Sequence, residues 1–173
     1  MQNHFELFHL EPQFGLDLAK LDAAYREVQS KVHPDKFVQA SDAEKRVAMQ
    51  WSTRANEAYQ TLKKPLKRAT YLCELHGIDL QTESNTSMPA AFLMQQIEWR
   101  EEFDEARQAK NLAAMESLEA QLRREFKAHL IELGSSLDMG NYVMAAQQIR
   151  ACMFLEKFTA DLAALEEQVQ ATH

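Results

Sequence analysis

The sequence has little glycine, proline or cysteine and no long apolar run. Four Gly and four Pro in 173 residues leave few positions that would interrupt a helix. No apolar stretch approaches the ~20 residues that a helix needs to cross a bilayer, and no apolar segment follows a basic N-terminus. We therefore expect a soluble, unexported protein of the cytoplasm that has no membrane partner.

The two cysteines, Cys73 and Cys152, are too few for a disulfide framework. Both fall within helical patterns, where a buried thiol behaves as a small apolar side chain. Cys73 and His76 have the spacing of two ligands on one helix, but a structural zinc site needs four ligands and no second pair lies nearby in the sequence. We expect no metal site and no cofactor.

The charge is divided unevenly along the chain. Residues 1–76 contain 11 Lys and Arg against 10 Asp and Glu, a net charge of +1, whereas residues 77–173 contain 8 against 16, a net charge of −8. A nucleic-acid partner would require an excess of cations on some surface. The distribution therefore argues against nucleic acid and indicates that the two parts meet different partners.

The first part of the sequence has the pattern of a helical hairpin. Asp17 is a candidate N-cap for a helix that must end by Pro34, and Ser41 with Glu44 forms a capping-box pattern at the start of a second helix. The apolar faces recur at steps of three and four residues. Leu21, Tyr25 and Val28 on the first helix are expected to face Trp51, Ala55 and Ala58 on the second, whose apolar pattern also includes Val47 and Leu62. A further helix is predicted from Pro65, with Gly77 as its stop.

Three more helical stretches follow a polar segment. They are predicted at about 89–110, at about 112–133 with an end before Gly134, and at about 141–170. The predicted fold is all-α, with a helical-hairpin unit at 1–76, a linker at 77–88 and an antiparallel three-helix bundle at 89–173.

The segment His33-Pro34-Asp35-Lys36 is too polar to be core and lies at the tip of the hairpin; we call it the tip loop. A loop that packing does not require is a candidate contact. His33 and Asp35 could imitate an acid–base pair, but an exposed tip has no desolvated pocket that would tune their pKa values or hold a substrate. We therefore interpret the tip loop as a binding element and predict that the protein is not an enzyme.

The helix that begins near Pro89 has two apolar faces. Phe92, Trp99, Phe103 and Ala106 form one, which suits the bundle core. A bundle helix buries one broad face, so a further apolar face edged by carboxylates indicates a binding surface, unless the buried face is simply wide. We call this set the second stripe; its members are Leu93, Met94, Ile97, Glu98 and Glu101. On the last helix, Phe154 points away from Ala145, Ile149 and Cys152 and is expected to be exposed, unless it packs together with its neighbours Met153, Leu155 and Phe158.

The tip loop between two amphipathic helices resembles the J-domain family. The segments "HPDKF", "RANEAYQTLKKPLKRATYLCELHGIDL" and "AFLMQQIEWREEFDEA" are similar to the HscB co-chaperones of iron–sulfur cluster assembly. The resemblance implies that His33, Pro34 and Asp35, supported by Lys36, Arg26 and Lys31, contact an Hsp70-class chaperone of the HscA type and stimulate its ATPase. It also implies that the second stripe, with Phe154, binds the scaffold protein IscU. The alternative is a J-domain co-chaperone whose bundle binds a different client.

Overall fold

The computed structural model describes residues 2–80 and 88–172, and the regular elements in these ranges are helical, which confirms the all-α prediction. The elements are α1 (His4–Leu7), α2 (Leu18–Val32), a 3₁₀ helix (Pro34–Phe37), α3 (Asp42–Lys63), α4 (Pro65–Leu75), α5 (Ala90–Ala109), α6 (Leu112–Asp138) and α7 (Tyr142–Ala171). No helix in the described ranges is long and apolar enough to cross a membrane.

The chain divides into two compact units, Met1–Leu75 and His76–His173. The linker that the sequence predicts at 77–88 falls largely on residues 81–87, which lie outside the described residues. The first unit contains α1 to α4 and the tip loop, and the second contains α5 to α7.

Side-chain caps fix the start of each hairpin helix, and a proline ends the first. The Asp17 carboxylate accepts from the Ala19 backbone N–H at 3.0 Å, so α2 begins where the sequence predicts. It ends at Val32 because His33 takes the extended backbone that a following proline requires. The Ser41 hydroxyl caps α3 by accepting from the Glu44 N–H at 3.1 Å. The predicted caps are therefore confirmed.

The interface between α2 and α3 differs from the prediction at one end. Leu21, Ala55, Ala58 and Leu62 are buried, but Val47 and Trp51 are 52 % and 37 % exposed. The small side chain of Ala48 is buried in their place. Trp51 lies at the margin of the interface instead, where the Arg54 guanidinium lies 4.8 Å from its ring centroid.

The second unit is the predicted antiparallel bundle of α5, α6 and α7. Its turns use left-handed backbone, with φ of +51° at Lys110 and +74° at Gly140. One buried cluster of its core comprises Phe92, Trp99, Ala106, Met115, Leu118, Leu122, Ala151, Leu155, Phe158, Leu162 and Val169. Phe92, Trp99 and Ala106 are the face of α5 that the sequence assigned to the core, so that assignment is confirmed.

The predicted end of α6 before Gly134 is wrong. The helix continues to Asp138, and Leu133 and Leu137, one turn apart on either side of Gly134, are both buried. A glycine inside a helix costs only about 1 kcal/mol relative to alanine, so burial of these leucines outweighs it. Gly140 is the true stop, because the Gly140 N–H donates to the Leu137 carbonyl at 3.1 Å in left-handed conformation.

Candidate functional site

The tip loop is an exposed, locally ordered turn at the end of the hairpin. Pro34 opens the 3₁₀ helix, and His33 caps it, because the imidazole Nδ1 accepts from the Asp35 backbone N–H at 3.2 Å. The same ring nitrogen lies 3.5 Å from the Asp35 carboxylate. The side chains of His33 and Asp35 are 58 % and 89 % exposed. The loop thus offers an imidazole and a carboxylate, held in a defined relation, to a protein in solution.

Three exposed cations accompany the tip loop, and one of them forms an ion pair within its own helix. Arg26, Lys31 and Lys36 are all exposed. Lys31 pairs with the Glu27 carboxylate on the same helix at 3.2 Å. An exposed pair of this kind is weak, so Lys31 can exchange Glu27 for an acidic group of a partner at little cost.

A groove behind the tip loop includes Lys45, a residue that the sequence analysis did not select. Its walls include Val32, Pro34 and Phe37 from the α2 side and Lys45 and Met49 from α3. Lys45 is far from His33 in sequence, and only the antiparallel return of α3 brings it beside Pro34. The helical period, which places Lys45 one turn before the buried Ala48, is the signal that could have identified it.

The second stripe lies on the solvent-facing side of α5. Leu93, Met94 and Ile97 are 45 %, 65 % and 58 % exposed, and Glu98 and Glu101 are also exposed. The buried Phe92 and Trp99 occupy the other side of the same helix. The observed helix therefore carries both a core face and an exposed apolar face, and the wide buried face considered above is excluded.

The expectation that Phe154 is exposed is wrong. It is half-buried and belongs to an aromatic cluster between α5 and α7. Its ring stacks on Trp99 at a centroid distance of 6.5 Å and on Phe158 at 5.6 Å, and it meets Phe92 edge-on at 5.9 Å. The reason is that Phe154 lies one turn before the buried Phe158 on α7, so it shares the side of α7 that packs on the aromatic face of α5.

One edge of Phe154 still reaches the surface. The Arg100 guanidinium lies 5.7 Å from its ring centroid, and both residues line an open groove with Asp104 and Lys157. Leu93 lies seven residues before Arg100 and so shares its side of α5. The second stripe and this groove are therefore neighbours on α5, and the charged side chains of the groove are Arg100, Asp104 and Lys157.

Within the described ranges, no group of three or more His, Cys, Asp or Glu side chains could hold a metal ion. The thiols of Cys73 and Cys152 are buried. Burial, followed by the negative charges of Glu156 and Glu132, raises the pKa of Cys152 to about 12. A thiol with that pKa stays protonated and is inert at neutral pH.

Comparison with known proteins assigns the chain to one family. Residues 88–170 match the family model described as the HSCB C-terminal oligomerisation domain. A co-chaperone protein HscB homolog of Burkholderia thailandensis is 56 % identical over 168 residues, which are 97 % of this chain and 96 % of that protein. The chain belongs to the HscB family of co-chaperones. The predicted resemblance to HscB is thereby confirmed.

Solved HscB structures share the whole fold. HscB from Vibrio cholerae is 37 % identical, with a TM-score of 0.82 over 97 % of this chain and 99 % of that one. Human HscB is 29 % identical, with a TM-score of 0.86 over 95 % of this chain and 82 % of that one. The tip loop and the second stripe are therefore carried by an HscB-type J-domain and an HscB-type bundle.

Proposed function

We propose that the tip loop docks on an Hsp70-class chaperone of the HscA type and stimulates its ATPase, while the second stripe binds an IscU-type iron–sulfur scaffold protein. The protein would deliver the scaffold to the chaperone in the cytoplasm and so assist the maturation of iron–sulfur proteins. It carries no catalytic group of its own for this role, because ATP is hydrolysed by the chaperone.

The observation that carries the proposal is the geometry of the tip loop. His33 and Asp35 are exposed and have no role in the hairpin core. The hydrogen bond from the Asp35 N–H to His33 holds the two residues together. Arg26, Lys31 and Lys36 add positive charge nearby. Such charges mainly raise the rate of encounter with an acidic surface, whereas the loop determines specificity.

Supplying two binding surfaces in one chain has a physical consequence. A scaffold held by the second unit is kept near the chaperone that the tip loop contacts, so its effective concentration rises without any new contact. Each surface can therefore be weak alone, and the assembly can still form and dissociate quickly.

The first test measures chaperone ATPase with an Asp35→Asn variant and a Glu11→Gln control, which removes another exposed carboxylate from the same unit. We expect Asp35→Asn to abolish stimulation and Glu11→Gln to behave as the wild type. Stimulation by Asp35→Asn at the wild-type level would refute the role of the loop.

The second test titrates IscU-type scaffold protein into the wild type and into a Leu93→Ala, Ile97→Ala double variant. Ile131→Ala is the matched control, since Ile131 is a 75 % exposed aliphatic residue of α6 outside the second stripe. We expect the double variant alone to lose affinity, by at least about tenfold. Absence of binding by the wild type, with ATPase stimulation intact, would instead favour a J-domain co-chaperone for another client.

A further inference from the structure

Polar side chains connect α2 and α3 along one flank of the hairpin. Three hydrogen bonds cross between the helices: Tyr59 OH to Asp22 Oδ1 at 2.6 Å, Gln29 Nε2 to Asn56 Oδ1 at 2.9 Å, and Ser52 Oγ to Gln29 Oε1 at 3.3 Å. In a fourth, the Tyr25 hydroxyl donates to the same Asn56 oxygen. We call these residues the polar ladder.

The polar ladder follows the antiparallel register of the hairpin. Its members on α2 advance from Asp22 by three and then four residues, and its members on α3 go back from Tyr59 by the same steps. Three and four residues are the spacings of one helix face, so three of the pairs, Asp22–Tyr59, Tyr25–Asn56 and Gln29–Ser52, repeat the same alignment, and the Gln29–Asn56 hydrogen bond runs diagonally between two of them. Sliding α3 by one turn would separate these three aligned pairs at once.

The apolar interface beside the ladder specifies this alignment less sharply. Ala55 and Ala58 are buried with Leu21, and small alanine side chains tolerate rotation and sliding of a facing helix better than interlocking large ones. Directional hydrogen bonds have no such tolerance. The Tyr25 ring also stacks on the Tyr59 ring at a centroid distance of 4.2 Å, which joins two steps of the ladder.

We infer that the polar ladder, with Asn56 at its centre, is a positioning device for the chaperone-binding surface. This inference rests on the proposed function of the tip loop. Gln29 lies one turn before His33, and Arg26 lies between Tyr25 and Gln29 in sequence. Fixing the rotation of this part of α2 therefore fixes the directions in which Arg26 and His33 face a partner.

Asn56 is the decisive member because one oxygen accepts both the Tyr25 and the Gln29 hydrogen bonds. Asn56→Leu removes that acceptor and keeps a similar size. Asn56→Asp retains an acceptor oxygen at the same position and serves as the conservative rescue. Gln60→Leu is the control, since Gln60 is an exposed amide one turn further along α3 and further from the tip loop.

The experiment measures ATPase stimulation of the purified HscA-type chaperone against the concentration of each full-length variant. We expect Asn56→Leu to raise the half-maximal concentration about fivefold, which corresponds to about 1 kcal/mol, and the other two variants to stay within about twofold of the wild type. Maximal stimulation should be unchanged, because at a saturating concentration of the variant the chaperone binds the molecules whose binding surface has the productive orientation.

A second readout separates positioning from direct contact and from stability. In the absence of chaperone, the amide NMR signals of His33 and Asp35 should move in Asn56→Leu and return in Asn56→Asp. Gln29→Leu should also raise the half-maximal concentration, and the double variant should lose less than the sum of the two single variants, because the Gln29–Asn56 hydrogen bond is removed by either change.

The outcomes distinguish the two levels of the proposal. If the wild type does not stimulate the chaperone, the proposed function fails. If the wild type stimulates and Asn56→Leu has an unchanged half-maximal concentration and unmoved His33 signals, the positioning role alone is refuted. An equal loss in Asn56→Asp and Asn56→Leu would also refute it, since the acceptor oxygen is then irrelevant.

Discussion

The Arg68 guanidinium joins α4 to the segment before α2 through Phe14. Arg68 Nε donates to the Phe14 carbonyl at 2.8 Å, and the guanidinium carbon lies 5.0 Å from the Phe14 ring centroid. A second nitrogen of Arg68 donates to the Leu62 carbonyl at 2.7 Å. This buried side chain satisfies two carbonyl groups, and burial lowers its pKa.

Replacing Arg68 should therefore destabilise the first unit. We expect Arg68→Met to lower the free energy of unfolding by about 2–4 kcal/mol, because it leaves two carbonyls without a charged donor. Urea denaturation followed by circular dichroism measures this. The neighbouring Lys67→Met is the control, and its exposed side chain predicts a change within about 0.5 kcal/mol. Equal midpoints for the two variants would contradict the role of Arg68.

Phe154 should stabilise the bundle core even when no client is bound. We expect Phe154→Ala to lower the free energy of unfolding by about 3 kcal/mol, because its ring packs against Phe92, Trp99 and Phe158. Leu93→Ala, which truncates an exposed side chain, should change it by less than about 1 kcal/mol. Denaturant unfolding of both variants tests this contrast, and similar losses would place Phe154 outside the core.

The turn between α6 and α7 should depend on the glycine at its centre. Gly140 has a φ of +74°, which costs an L-residue about 1 kcal/mol, so Gly140→Ala should destabilise by that amount. No atom lies within 4 Å of the added Cβ, so backbone strain is the cause. Gly15→Ala, at a position with equal space but no positive φ, should be neutral or slightly stabilising. Thermal melts of both variants measure the difference.

The bundle should lose stability between mildly acidic and neutral pH because of Glu166. Burial and then a hydrogen bond with Glu119 raise the pKa of Glu166 from 4.5 to about 7, with Arg123 opposing. The unfolded chain releases this proton at lower pH than the folded one, so stability falls as pH rises from about 4.5 to about 7 and is level above that.

Glu166→Gln removes this effect. We compare the free energy of unfolding of the variant with that of the wild type. The difference should favour the variant by about 1 kcal/mol more at pH 8 than at pH 5, allowing for solvent screening of a half-buried group. Glu167→Gln, the exposed neighbour, is the control and should show no such pH-dependent gain. Unfolding curves at the two pH values decide, and a pH-independent difference for Glu166→Gln would contradict the raised pKa.

Local sequence patterns were sufficient to predict most helix positions, the caps, and the exposure of the tip loop and the second stripe. Asp17, Ser41 and Pro34 act within a few residues of their own position, so spacing alone identifies them. The second stripe is likewise a property of one helix. These are features for which local and tertiary preferences agree.

The wrong predictions concern residues whose burial or conformation depends on packing against another helix. Gly134 stays helical because buried leucines on both sides hold it, and Phe154 is half-buried because it packs against the Phe92 and Trp99 rings of α5. The polar ladder escaped notice because Gln29 and Asn56 look like ordinary surface residues until α2 and α3 are aligned. Side chains that act across two helices cannot be recognised from the period of one.

The hydrogen bond that caps the 3₁₀ helix also selects a tautomer of His33. Nδ1 accepts from the Asp35 N–H, so the neutral ring must carry its proton on Nε2. The tip loop then presents a donor at Nε2 of His33 and an acceptor at the Asp35 carboxylate. A docking surface that satisfies both must offer the opposite pair, a carbonyl or carboxylate facing His33 and an N–H or cation facing Asp35.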